Sequence, residues 1–113
     1  MMRDCQVYNR SIKQYSTVEI LCKYKDDQGI PLSLAGMTIK SDMYSSSGRF
    51  VDSLVVTVLD VDGGVFVMMP TIDKLPADTL SIDVLFEKDG KRVTSDTFTM
   101  HVERAVTNPD IGG

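Results

Sequence analysis

Tryptophan is absent from the 113 residues, histidine occurs once and cysteine twice. With a single histidine, any Ser-His-Asp or Cys-His site must use His101 as its base, and no Gly-x-Ser-x-Gly elbow or comparable nucleophile motif accompanies it. An enzyme reading would need His101 beside a nucleophile in a pocket; alternation along its strand puts it on an outward face with Glu103. One histidine and two cysteines cannot complete a four-ligand zinc site without carboxylates, and no C-x-x-C pair occurs. Neither a Gly-x-Gly-x-x-Gly run nor a P-loop offers a phosphate cradle. Asp60 and Asp62 open like a calcium loop, but Val65 stands where the loop needs glycine and Thr71 where it needs a bidentate glutamate. The residues imply no cofactor, no metal and no catalysis.

Positive charge is also scarce. Twelve basic residues against sixteen acidic ones leave a net charge of −4, spread without long runs of either sign. Nucleic-acid binding normally requires a basic stripe, because neutralising phosphates carries much of the affinity. That partner class is not expected. No apolar run approaches the roughly 18 residues that cross a bilayer, and the opening "MMRDCQVYNR" lacks the apolar core of a secretory signal. The expectation is synthesis in the cytoplasm and no membrane association. With 42% hydrophobic and 25% charged residues the composition is ordinary for a globular chain, and its length suits one domain.

Two cysteines are too few to define a framework. Cys22 falls in the alternating run Val18, Ile20, Cys22, Tyr24, where a small apolar side chain suits an inward position. Reduced core thiols are the expected state. The alternative is a Cys5–Cys22 bridge joining two strands, which requires an oxidising compartment.

What is present is period-2 alternation, with almost no helical periodicity. Strands are expected at residues 4–9, 17–25, 37–44, 50–59, 65–69, 79–87 and 93–104. The clearest is the sixth, with Leu80, Ile82, Val84 and Phe86 on one face and Thr79, Ser81, Asp83 and Glu87 on the other. In the fourth, Leu54, Val56 and Val58 form the expected core set. "SSSG", "DVDGG" and "KDGK" supply turns, the last with the Asp-Gly pair that tight hairpins prefer. Pro76 excludes any long helix from residues 71–78. About seven antiparallel strands at short spacing predict a single all-β, Ig-like β-sandwich over residues 1–107, with 108–113 as a flexible tail.

Between the second and third strands lies "DDQGIPLSLAGMT". A turn at Asp26 to Gly29, an extended Ile30–Pro31 step, an apolar anchor at Leu34 and a second turn at Gly36 read as a sheet-to-sheet crossover. The stretch, with its D-x-x-G-x-P turn and following L-x-G step, resembles small Ig-like sandwich proteins of tailed bacteriophages and prophages. The chain is similar to that group across residues 5–107, through "DGGVFVMMP", "TIDKLPADT", "LSIDVLFEKDGK" and "SDTFTMHVERAVT", and in layout to the N-terminal domain of baseplate upper proteins. The resemblance implies a structural virion component, an adaptor or decoration subunit of a tail, baseplate or fibre attachment region. It would be present in multiple copies and contact other virion proteins.

Leu21, Val55, Leu59 and Leu85 each break the polar side of a strand, and of the adjacent Met68 and Met69 one must face outward. Apolar residues gathered on one sheet would mark a protein contact. The expected interface residues are Leu21, Leu85 and Met68, together with a C-terminal docking arm carrying Ala105, Val106, Thr107 and Ile111. The alternative function is a cell-surface recognition module that binds a glycan or protein through the sandwich loops. Its few loop aromatics would be Tyr15, Tyr44 and Phe50.

Overall fold

Alternating side chains become two packed sheets in the computed structural model, which describes residues 2–7, 11–72, 74–95 and 97–106. The strands in chain order are β1 (Met2–Val7), β2 (Ser11–Lys13), β3 (Ile20–Lys25), β4 (Thr38–Tyr44) and β5 (Phe50–Ser53). They continue with β6 (Val55–Asp60), β7 (Val65–Met69), β8 (Thr79–Lys88), β9 (Lys91–Thr94) and β10 (Phe98–Glu103). One sheet has the order β1-β3-β7-β6; the other runs β2-β10-β8-β4-β5, with β9 also paired to β8. With β9 and β10 taken as one interrupted strand, this is the A-B-E-D sheet against the C-F-G sheet of an immunoglobulin-type sandwich. The Ig-like fold expected from alternation is the fold adopted.

Each expected run contains strand, and three details differ. β2 was not anticipated: three residues are too few to show a period, and it runs parallel to β10. The run at 50–59 divides, because β5 ends at Ser53 and the chain changes sheet at buried Leu54 before β6 begins. Val58, expected in the core, is therefore 41% exposed at the sheet edge. The last run breaks at Ser95, whose N–H donates to the Val84 carbonyl at 2.8 Å. Its hydroxyl accepts the Val84 N–H at 2.7 Å. One residue thus satisfies both backbone groups of Val84 where the ladder is interrupted.

The core follows the alternation. Ile20, Cys22, Tyr24, Phe66 and Met68 from one sheet meet Met43, Leu80, Ile82, Val84, Phe86 and Met100 from the other. Phe86 is central, with its ring centroid 4.5 Å from Tyr24 and 5.9 Å edge-on from Phe66. Asp52 is buried and its carboxylate accepts both the N–H and the hydroxyl of Thr71 at 2.6 Å. This pair secures the irregular connection after β7, which Leu75 anchors by burial at 2% exposure.

The crossover between β3 and β4 behaves as its sequence implies. Asp26 Oδ1 accepts the N–H groups of Gln28 and Ile30, each at 2.9 Å, closing a turn in which Gly29 has φ +81°. Leu32 then donates to the Tyr24 carbonyl, and Leu34 to that of Val61, both at 2.9 Å. Leu34 is 4% exposed, a core anchor. The crossover is thereby stitched to the β6–β7 turn, where Gly64 at φ +70° would place a Cβ 2.5 Å from the Leu32 oxygen and 2.6 Å from that of Tyr24. Replacing Gly64 by Ala should cost at least ~2 kcal/mol, from left-handed strain plus two backbone clashes. Gly29→Ala meets nothing within 4 Å and should cost only about 1 kcal/mol. Chemical denaturation of the two variants measures the difference, and equal midpoints would refute the close-packing argument.

The cysteine expectation needs correction. Cys22 is disulfide-bonded, and the residue opposite it in the β1–β3 register is Cys5, the other of the two cysteines. Directly facing residues in an antiparallel pair have Cα atoms about 4.5–5.5 Å apart, within the disulfide range, so register alone makes the bridge geometrically cheap. The expected 107/108 domain boundary and the tail at 108–113 lie outside the described residues. Reduction should lower stability by about 3 kcal/mol, the value for a loop of roughly 15 residues, or on the order of 10 °C in melting temperature. Melting with and without dithiothreitol, alongside thiol titration of the untreated protein, tests this; two titratable thiols at the outset would contradict it.

Candidate interaction surfaces

Exposed apolar side chains concentrate on β6 and its surroundings. Val55, Val58 and Leu59 are 53%, 41% and 59% exposed, and the strand carries no charge before Asp60. β6 ends its sheet, so one side of its backbone has no strand partner among the described residues. The register extends this edge across the sheet's outer face: Val55 stands opposite Met69, and Thr57 opposite Val67, which in turn faces Leu21. Met69 is exposed and Leu21 and Val67 are half-buried, giving a shallow apolar strip continuous with the β6 edge.

The expected interface residues are dispersed. Leu21 belongs to this strip, but half-buried Leu85 sits between Lys40 and Thr94 on the opposite sheet, so the two cannot form one patch. Met68 is fully buried against the core, which corrects its assignment to an outer surface. The parity of β7 explains this: Phe66 and Met68 share a face, and the large aromatic takes it inward. Met69 is the residue that faces out. Ala105 is tied to the sandwich, its N–H donating to Gln14 Oε1 at 3.3 Å. Val106 is 98% exposed, while Thr107 and Ile111 lie outside the described residues.

His101 forms a cross-strand surface pair, its Nδ1 3.2 Å from Thr79 Oγ1, with both residues exposed. Adjacent Asp78 accepts the N–H and hydroxyl of Ser46 at 2.9 Å and the N–H of Thr79 at 2.8 Å. These bonds, more than the nearby imidazole, hold its carboxyl below the usual range. The carboxylate pins the β4–β5 hairpin tip to the start of β8. Asp60, tested above as a calcium ligand, accepts the Gly63 N–H at 3.0 Å and closes its own turn. No cluster of three or more His, Cys, Asp or Glu side chains occurs among the described residues. Tyr44 and Phe50 are 41% and 57% exposed and meet edge-to-face at 5.8 Å on the β4–β5 hairpin.

A cleft opens where the β8–β9 hairpin turns. It encloses about 400 Å³ between Tyr24, Leu32, Met37, Phe86 and Val93, with Lys88, Asp89 and Lys91 also lining it. Sequence reading missed it, because its walls come from both sheets and the crossover. No helix among the described residues is long and apolar enough to cross a membrane.

No family model and no curated protein matches the chain. Among solved structures it is similar to the Lin-41 filamin domain, at 15% identity and TM-score 0.54 over 91% of this chain and 93% of that one. It is also similar to a DUF4426 family protein from Pseudomonas aeruginosa PAO1, at 14% identity and TM-score 0.57 over 89% and 88% of the two chains. At these identities the likeness shows the fold alone: an Ig-like β-sandwich.

Burial pushes the Tyr24 phenol above its ordinary value of 10.0. A raised folded pKa means a stability contribution present below the unfolded value and lost as pH climbs through the folded one. Ultraviolet titration should therefore show one tyrosine ionising late, accompanied by alkaline destabilisation. Tyr24→Phe should remove the late step; its persistence would place the buried phenol elsewhere.

Proposed function

We propose that this chain is a non-enzymatic structural protein, an adaptor or decoration subunit that joins larger proteins in a particle of the tailed-phage type. The observation that carries the adaptor reading is β6: an edge without a strand partner among the described residues, uncharged from Val55 to Leu59 and continuous with the outer strip of Met69, Val67 and Leu21. Such an edge offers main-chain donors and acceptors to a neighbour's strand, while the apolar side chains add burial. The virion setting rests on the resemblance through Asp26, Gly29, Pro31, Leu34 and Gly36. The disulfide at Cys22 suits an oxidising location such as a virion surface. On this reading the protein is made in the host cytoplasm, acts in the virion, and contacts other virion proteins in several copies, with neither nucleic acid nor membrane as partner.

The exposed Tyr44–Phe50 pair favours the second reading, a cell-surface recognition module, since neighbouring aromatics can stack on a sugar or fill a protein pocket. Glycan-array binding that Phe50→Ala abolishes would support that reading over the adaptor.

Thr57→Lys places a charge in the middle of the β6 edge, where the side chain is already exposed. Its stability should stay within about 0.5 kcal/mol of wild type, as for other surface changes, while incorporation into particles falls at least about tenfold, the effect of roughly 1.4 kcal/mol. Quantifying the subunit in purified particles by mass spectrometry reads this out. Wild-type incorporation of Thr57→Lys would reject β6 as the contact.

A further inference from the structure

An apolar cleft with cationic groups at its mouth selects an occupant that is apolar at one point and anionic beside it. The walls are Tyr24, Leu32, Met37, Phe86 and Val93. Glu87 pairs with Lys40 at 3.9 Å and Arg92 at 3.5 Å on the opposite face of β8, whereas Lys88 and Lys91, which line the cleft, form no ion pair among the described residues. Asp89 at the hairpin turn offsets one of these two charges and leaves the mouth net positive. The segment 107–113, "TNPDIGG", has the complementary order: Asp110 next to Ile111, no basic residue, and Pro109 restricting the preceding backbone to extended forms.

Reach decides whose segment enters. Thr79, the first residue of β8, faces His101 near the end of β10, whereas Lys88 at the cleft is the last residue of β8. The nine steps from Thr79 to Lys88 span about 30 Å. Five residues from Val106 to Ile111 span at most about 18 Å. A chain cannot fill its own cleft from that end.

We infer that the cleft receives residues 107–113 of a second copy, with Ile111 against Tyr24 and Phe86 and Asp110 between Lys88 and Lys91. This contact is heterologous, so it propagates head to tail and closes into a ring or extends as a filament according to the rotation at each step. It deepens the assembly reading and rests on it, adding a self-contact at a site separate from β6.

Sedimentation velocity of the full chain over a concentration series tests the inference. Wild type should gain mass with concentration; Ile111→Asp, and separately Lys88→Glu with Lys91→Glu, should each weaken association at least about tenfold while melting at the wild-type temperature. Adding Asp110→Lys to the lysine double variant should restore it, an outcome that general surface disruption does not give. Synthetic TNPDIGG titrated into Ile111→Asp should saturably change tyrosine emission, because Tyr24 lines the cleft and there is no tryptophan to mask it. Unchanged association of Ile111→Asp would overturn the inference. So would dodecanoate saturating the tyrosine signal where the peptide gives none, which would assign the cleft to a small amphipathic anion. If Thr57→Lys blocks incorporation while Ile111→Asp associates normally, the adaptor reading stands and this inference falls; unaffected incorporation of Thr57→Lys with loss of association in Ile111→Asp gives the converse.

Discussion

The close approach of Gly64 to the backbones of Tyr24 and Leu32 is the constraint on which the arrangement depends. It admits no side chain, so the β6–β7 turn lies directly against the crossover that carries the chain from one sheet to the other. Two further bonds use this proximity: Tyr24 N–H to the Gly64 carbonyl at 2.8 Å and Leu34 N–H to that of Val61 at 2.9 Å. Through them the crossover, the end of β3 and the start of β7 are fixed as one unit. Leu34 then has only one place to go, into the core beneath that turn. Tyr24 is held at the same junction, with its ring against Phe86, so the same constraint sets one wall of the cleft.

A second consequence concerns β6. The chain changes sheet at Leu54, and the turn anchored by Gly64 returns it as β7, which lies between β6 and β3. β6 is thereby held outermost, with no later segment among the described residues to cover it. Sheet edges are usually protected by brevity, charge or proline. β2 has three residues, β5 has four, β9 carries Lys91 and Arg92, and β1, the other edge of this sheet, carries Arg3 and Asp4 in its sequence. β6 has six residues and its first five are uncharged; its protection is limited to the bulge between Val58 and Asp60. An edge left this accessible on a chain that otherwise protects its edges argues for a contact there.

Legibility in the sequence followed the physical range of each signal. Strand identity is local: alternation in β8 and the Asp-Gly pair after it specify a hairpin whatever the rest of the chain does. The crossover was also legible, because Asp26, Gly29, Pro31 and Gly36 impose backbone states that few other residues tolerate. The sheet change at Leu54 was not. A continuous apolar run satisfies either one strand or two, and what separates them is the Leu54 N–H bonding to the Ser41 carbonyl at 2.9 Å, a contact made only after β4 is in place. Met68 was misassigned for want of one step of parity from Phe66. The disulfide depended on the β1–β3 register, which places Cys5 opposite Cys22 and which spacing along the chain does not determine.

The two candidate contact regions differ in kind, and the difference bears on assembly. β5 and β6 are joined through Leu54 and terminate their sheets on one side of the sandwich, so β9, across β8 and β4 from β5, lies toward the other. A partner strand on β6 gains backbone hydrogen bonds in any compatible register, with weak dependence on its side chains. The cleft beside β9 instead has fixed walls and two lysines with no ion pair among the described residues, so it discriminates by side-chain chemistry. A subunit with one permissive edge and one selective cleft, at separate sites, can hold a larger partner by the first and set its spacing to the next copy by the second. Repetition in a symmetric array then multiplies contacts that are individually small, since after the first contact each further one forms at a high effective concentration. A small β-sandwich can meet those requirements by shape and edge chemistry alone.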